Sequence, residues 1–210
     1  MPTAPLDPEA KRLEALWRGK FGDVYNQRND AVHLGRQPFW EDVLAEFRVR
    51  RVLEVGCNNG GNLRWITRAL RPDGVVGIDI NFGALKALRR NVPGAQALWG
   101  RAQQLPFRDG SFDLVLTVGV LIHQPPAALP AAMAEIVRCS RRYILCGEYF
   151  SPVPTSVPYR GQPGALFKRN FEVLYQQLFP SLALRKQGFL PRKEGGWDDI
   201  TYWIFEKQNA

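Results

Sequence analysis

The sequence predicts an α/β fold built on a mostly parallel sheet with helices on both faces. Short apolar runs of β type recur at 51–56 (RVLEVG), 75–80 (VVGIDI), 97–100 (ALWG), 112–119 (FDLVLTVG), 142–147 (RYILCG) and 199–206 (DITYWIFE). Several are apolar nearly throughout, as strands buried on both faces are. Amphipathic helical patterns lie between them at about 61–71, 82–91 and 128–139, with another near 164–179. This alternation argues for parallel strands joined by covering helices. Ahead of the first strand, 8–20 and 38–48 read as two helices, with Gly22 and Pro38 as punctuation. Residues 150–164 (FSPVPTSVPYRGQPG) read as a long loop, because prolines and glycines crowd there, and long loops in compact domains are often functional.

Bulk properties narrow the function classes. A chain of 210 residues favours one domain, long enough to bury a real core. Hydrophobic residues at 45% and charged residues at 23% are globular values. No apolar run reaches the roughly 18–20 residues of a membrane span. The opening MPTAPLDPEAKRLEALWRGK lacks the layout of a signal peptide, so a cytoplasmic location is expected. Cys57, Cys139 and Cys146 form no C-x-x-C pair, which argues against a disulfide framework or zinc site. With only His33 and His123, no metal-ligand constellation is expected, and a magnesium-dependent mechanism is disfavoured. His33 reads as surface. A net charge of +8 admits nucleic acid, an anionic membrane or an anionic small substrate. The arginines are scattered, and no basic tail or aromatic RNA-binding motif is present.

The stretch 53–63 (LEVGCNNGGNL) follows a strand and opens a helix, the ligand position of a doubly wound sheet. Asp79 ends the second strand, where a carboxylate suits a ribose diol. For a nicotinamide site Gly56 and Gly61 fit the outer positions of G-x-G-x-x-G, but Asn58 holds the middle one. A side chain there obstructs close approach to a pyrophosphate. Asparagine tolerates left-handed backbone angles. Glu54-x-Gly56-x-Asn58-x-Gly60 therefore resembles the acidic-Gly-x-Gly-x-Gly loop of S-adenosylmethionine (SAM)-dependent methyltransferases, with one substitution.

Further motifs extend the resemblance. Gly100-Arg101-Ala102-Gln103-Gln104-Leu105-Pro106-Phe107, then Phe112-Asp113-Leu114-Val115, resembles the "GDA-x-x-LPF … FD" run of small-molecule methyltransferases. Thr117 to His123 follows the fourth strand, where that family lines its SAM and acceptor pocket. Phe21-Gly22-Asp23-x-Tyr25-x-x-Arg28-Asn29, Arg142 to Leu145, Glu148-Tyr149, Pro158-Tyr159-Arg160-Gly161, Leu166 to Arg169 and Asp198 to Thr201 resemble, in order and spacing, the bacterial methyltransferases associated with pseudaminic acid biosynthesis. That resemblance runs from about 15 to 207, with departures at Cys57 and Asn59.

The resemblance implies a Rossmann-like class I methyltransferase fold: a seven-stranded, mostly parallel sheet ending in an antiparallel hairpin. It implies a helical cap over 1–50 contributing to the site, and a SAM-binding domain over 51–210 that forms one compact unit with the cap. The implied cofactor set is Glu54, Gly56, Cys57, Asn58, Gly60, Asp79, Ile80, Arg101, Ala102 and Thr117. Arg101 replaces the family's acidic residue, so Ala102 is left to meet the adenine through its backbone. Arg28 is a candidate partner of the SAM carboxylate, and Tyr25 of the acceptor, if the N-terminal segment folds over the cofactor rather than packing as a plain cap.

Methyl transfer is an in-line displacement, and an oxygen acceptor must lose its proton during attack. His123 is the candidate base, or else a pocket histidine that orients backbone. Glu148 either assists as base and hydroxyl acceptor or is a loop carboxylate satisfied by Arg160. Tyr149 and Tyr159 are expected to wall the acceptor pocket. Arg160, Lys168 and Arg169 are clamps for a carboxylate or phosphate, or, for the last two, a solvated helix start. Asp198 and Asp199 either hold a substrate hydroxyl or begin the final strand. Trp17, Phe21, Phe39, Trp40, Leu105 and Phe107 read as packing residues. The expected activity is methylation of O or N on a small polar, anionic acceptor, a sugar or natural-product intermediate. The rivals are an RNA methyltransferase, a non-catalytic SAM-binding partner subunit and, more distantly, a nicotinamide dehydrogenase. No membrane association is expected, and the oligomeric state is open.

Overall fold

A computed structural model describes residues 7–29, 34–193 and 196–208; His33 lies outside them. Seven strands form one sheet: β1 (Val52–Val55), β2 (Val75–Asp79), β3 (Gln96–Trp99), β4 (Phe112–Val118), β5 (Ser140–Glu148), β8 (Leu182–Leu190) and β9 (Ile200–Lys207). Their order is β3-β2-β1-β4-β5-β9-β8. The first five run parallel, while β9 is antiparallel to β5 and to β8. This is the fold of class I methyltransferases, and the predicted sheet is present.

Both faces are covered because strand residues point alternately to opposite sides. Ile200, Tyr202 and Ile204 pack with Trp40, Leu44, Leu63, Ile66 and Leu88. Trp203 and Phe205 pack with Met133, Ile136, Phe171 and Tyr175. The first group comes from α3 (Gln37–Phe47), α4 (Leu63–Ala69) and α5 (Phe82–Asn91), the second from α6 (Leu129–Cys139) and α7 (Phe171–Leu178). Among the described residues, no helix is long and apolar enough to cross a membrane.

The N-terminal region differs from its reading. After α1 (Pro8–Arg18), capped by the Asp7 carboxylate, the chain turns at Gly19 and begins α2 (Lys20–Arg28). Gly22 is no punctuation mark but a buried residue inside α2. A Cβ there would sit 1.8 Å from the Trp17 carbonyl oxygen, so only glycine lets α2 fold back this closely.

Residues 150–164 are not a loop, and no helix begins at 164. Strands β6 (Thr155–Tyr159) and β7 (Gln162–Lys168) form a separate antiparallel hairpin. Its two-residue turn, Arg160-Gly161, has φ of 50° and 79°, the double positive-φ geometry that suits a tight hairpin. Pro158 falls at the register shift between Val157 and Tyr159, where a missing N–H costs no regular ladder bond. Asn170 then caps α7, its side chain accepting from Val173 N at 3.2 Å.

The interior prediction concerns Phe205, which is fully buried with its ring centroid 4.9 Å from that of Tyr175. Truncating it leaves a cavity in packed interior. Phe205→Ala is expected to lower unfolding free energy by about 3–5 kcal/mol in denaturant titration. A loss under about 1 kcal/mol would contradict the burial described.

Candidate active site

The crevice lies at the carboxyl ends of β1 and β4, where the strand order reverses. Its floor is the loop after β1. Gly56 and Cys57 donate their N–H groups to Ile78 O at 2.8 and 3.1 Å. Gly56 has φ 74°, and a Cβ on it would lie 2.4 Å from Val120 Cγ2. Asn58 has φ 47°, the left-handed conformation expected of it. Its N–H donates to Asp79 Oδ2 at 2.9 Å, while Asp79 Oδ1 accepts from Asn81 N at 2.8 Å. Asp79 is thereby fixed at the mouth of β2 with lone pairs to spare. Burial raises its pKa, against those backbone hydrogen bonds.

Glu54 lies behind the loop, buried. Its Oε1 accepts from Asn62 Nδ2 at 2.6 Å, and its Oε2 has no partner. Burial pushes the carboxyl up to about 8, against the pull of Asn62 and the Arg36 charge. Asn62 bridges the two, accepting from Arg36 Nη1 at 3.0 Å. Arg36 is held further by the Gly196 carbonyl, at 3.1 Å from Nε and 2.8 Å from Nη2. A half-satisfied carboxyl group and a guanidinium thus stand on either side of Asn62 in the crevice wall. At the other end Ile80, Arg101 and Ala102 line the cavity, and Arg101 pairs with Glu14 of α1 at 3.0 Å.

The roof comes from α1, α2 and the hairpin. Arg12 donates to Pro163 O at 2.9 Å. Asn81 donates to Trp17 O at 3.2 Å and to Asp23 Oδ1 at 2.9 Å. Asn59 reaches the Asn29 carbonyl at 2.7 Å, so this departure from the family pattern ties loop to roof. Below the roof stand Trp17, Tyr25, Tyr149, Tyr159 and His123. The Trp17 and His123 ring centroids are 4.4 Å apart, and those of His123 and Tyr159 are 5.1 Å apart. His123 Nδ1 is 2.6 Å from Ala165 O. A carbonyl only accepts, so Nδ1 carries the proton and Nε2 is the bare nitrogen. Burial depresses the imidazole to about 4, keeping it neutral at physiological pH. Burial also keeps the Tyr25 and Tyr149 phenols protonated, above their ordinary value.

Several expected residues lie elsewhere. Glu148, expected as base, does not line the crevice. It is fully buried and accepts the N–H groups of Val120 and Leu121 on Oε1 (3.1 and 3.0 Å) and of Ile122 on Oε2 (3.2 Å). Neither is it satisfied by Arg160, which is exposed at the hairpin turn. Arg28, Arg160 and Lys168 do not line the crevice either. They lie over the rings of Tyr25, Tyr159 and Tyr149 at 5.9, 5.5 and 5.9 Å. Arg169 is buried and donates to the carbonyls of Leu121 and Gln124. Gly60 is a turn residue, where a Cβ would strike Leu88 and Val92. Thr117 is fully buried within β4 and is not a lining residue. Asp198 lines the mouth, paired with Arg192 at 3.1 Å, while Asp199 accepts from Arg192 N.

Sequence reasoning missed Arg36, Asn62 and Trp17. Trp17, Phe21 and Tyr25 recur every four residues, and both partner rings lie 5.2 Å from Trp17. That spacing was a signal, read only as packing. Phe39 and Trp40 do pack in the core.

Residues 52–142 match a family model described as a methyltransferase domain, less than half of the chain. The phthiotriol/phenolphthiotriol dimycocerosates methyltransferase 1 of Mycobacterium ulcerans is 40% identical over 98 residues, 46% of this chain and 35% of that protein. The fatty-acid O-methyltransferase of Mycolicibacterium smegmatis is 42% identical over 76 residues, 35% of this chain and 28% of that one. The chain thus spans about a third of the length of the curated relatives it matches. Among solved structures, the 1,6-didemethyltoxoflavin-N1-methyltransferase of Burkholderia thailandensis with bound S-adenosylhomocysteine superposes with a TM-score of 0.73 at 18% identity, covering 99% of this chain and 94% of that one. The SAM-bound magnesium protoporphyrin IX methyltransferase of Synechocystis gives 0.68 at 14%, covering 99% and 100%. At these identities the likeness is one of fold. The class I methyltransferase fold and the methyltransferase-domain reading of the central motifs are borne out.

The buried acids set a pH dependence. Burial raises Glu54 to about 8 and Glu148 to about 7. A raised folded-state pKa favours the protonated form, so that stability is present below the ordinary Glu range and is lost as pH rises through 7 and 8. His123, lowered to about 4, acts oppositely: its contribution is present above the ordinary His range and fades as pH falls towards 4. Between about pH 6.5 and 8.5 the carboxyls dominate, so the melting midpoint of the ligand-free protein is expected to fall. Glu54→Gln should flatten that fall; an unchanged slope would contradict the buried Glu54.

Proposed function

We propose that the chain is a SAM-dependent methyltransferase acting on O or N of a small molecule. The observation that carries this reading is the pairing of buried Glu54, with its unpartnered Oε2, and half-buried Arg36, set beside Asp79 in one crevice. An amino-acid zwitterion joined to a ribose needs that set: an acceptor for its ammonium, a cation for its carboxylate, a carboxylate for its diol. Glu54 and Arg36 would hold the methionine end, Asp79 the ribose, and Ile80, Arg101 and the Ala102 backbone the adenine. When bound, SAM supplies an electrophilic methyl group on a sulfonium.

The chain's own residues supply the rest. Trp17, Tyr25, Tyr149 and Tyr159 exclude water and align the acceptor. His123 Nε2 receives the acceptor's proton as the new bond forms. The acceptor expected from net charge was anionic, but the lining supports a flat, uncharged molecule better. Of the lining arginines, Arg36 is assigned to the methionine carboxylate and Arg101 is paired with Glu14. Aromatic walls favour a flat partner; the Burkholderia structure of the same fold holds 1,6-didemethyltoxoflavin together with S-adenosylhomocysteine. The cap role of residues 1–50 is part of the proposal, supported by Trp17 and Tyr25 in the lining. The pseudaminic acid association rests on the motifs between 21 and 201 alone. A silent SAM-binding subunit is the second reading, favoured by the low basicity of His123.

Asp79→Ala and Arg36→Ala are each expected to weaken S-adenosylhomocysteine binding tenfold or more, about 1.4 kcal/mol. Arg28→Ala should stay within twofold. Normal binding by Asp79→Ala and Arg36→Ala would sink the placement of the cofactor. With an acceptor in hand, His123→Ala should cut turnover on the order of 100-fold and leave cofactor affinity intact; a wild-type rate would remove His123 as base.

A further inference from the structure

The segment between β4 and α6 carries His123 on a three-residue 3-10 turn, Leu121–His123. One turn of 3-10 helix has too few bonds to hold itself. Its own contribution is His123 N to Val120 O at 3.0 Å and Gln124 N to Leu121 O at 3.1 Å. Leu121 and Ile122 pack in the core, and two buried side chains, one acidic and one basic, bind the backbone of the turn. The Glu148 carboxylate, from the end of β5, takes the backbone N–H groups of Val120, Leu121 and Ile122. The Arg169 guanidinium, just after β7, gives hydrogen bonds to the carbonyls of Leu121 (3.3 Å) and Gln124 (2.9 Å). The same hairpin supplies Ala165 O to the imidazole.

The division is complementary. The acceptor-only side chain takes the donors of the turn, and the donor-only side chain takes its acceptors. Burying both charges is expensive unless each is hydrogen-bonded in place, and an apolar pair would pack the same space at lower cost. What an apolar pair would not do is fix five backbone groups around one imidazole.

We propose that Glu148 and Arg169 are positioning residues that lock the 120–124 turn and so hold His123 with Nδ1–H on Ala165 and Nε2 as its bare nitrogen. This rests on the reading of the crevice as a methyltransferase site, but its test does not need an acceptor. The full chain contains two histidines, so ring nitrogens labelled with nitrogen-15 give two sets of correlations, and a His33→Gln variant assigns them. The wild type should show His123 as a single Nδ1–H tautomer. Glu148→Gln puts an amide N–H₂ among backbone N–H donors, and Arg169→Met removes both donors. In each, His123 is expected to show mixed tautomers or a broadened pattern. Arg169→Lys, which can still reach one carbonyl, should fall between.

Near-UV circular dichroism reports whether each variant keeps its packing. If Glu148→Gln does not fold, the two Arg169 variants carry the test. Folded variants whose His123 correlations match wild type in position and width would overturn the proposal and leave the pair as fold stabilisers. Failure of the wild type to bind S-adenosylhomocysteine, with His123 still responding to the substitutions, would overturn the cofactor reading instead.

Discussion

The crossover after β1 runs over one face of the sheet, and the crossover after β4 runs over the other. Nothing from the sheet itself covers the gap left between their carboxyl ends. The floor loop must close tightly over that gap, which explains positive φ at Gly56, Asn58 and Gly60. Helices α1 and α2 and the hairpin cover what the sheet leaves open. They are tied down by side chain to backbone contacts, Arg12 to Pro163, Asn81 to Trp17 and Asn59 to Asn29.

The crevice concentrates costly groups. Glu54 and Asp79 both sit where burial disfavours their ionised forms, and the protein leaves one Glu54 oxygen without a partner. A buried carboxylate costs stability unless something donates to it. Asn62 shows how finely this is arranged: its amide donates to Glu54 and its carbonyl accepts from Arg36 and from Trp40 Nε1. One neutral side chain spaces the Glu54 carboxyl from the Arg36 guanidinium, so an acid and a cation both face a ligand bearing an ammonium and a carboxylate.

Much of the fold was legible because parallel strands buried on both faces leave long apolar runs. β8 was not, since LALRKQGFL lies at the sheet edge, where charge is tolerated. The hairpin was misread because its prolines were weighed by number rather than by register. In the site, Glu54, Gly56, Asn58 and Asp79 were legible because local geometry demands those residue types at that spacing. Arg36 was not, because a guanidinium reaches its place through the path of the chain, and the sequence offers no feature that separates it from Arg28. Glu148 shows the opposite error. A carboxylate at a strand end suggests chemistry, but three backbone N–H groups point at it, and no residue type announces that.

The most direct test is calorimetric titration of the wild-type protein with S-adenosylhomocysteine near pH 7, repeated in buffers of different ionisation enthalpy. Glu54 is held protonated there by burial and should ionise against an incoming ammonium. Micromolar binding with release of about one proton is expected, and no binding of NADH. Absence of binding, or binding with no proton exchanged, would contradict the claim that Glu54 is the buried acceptor around which this crevice is built.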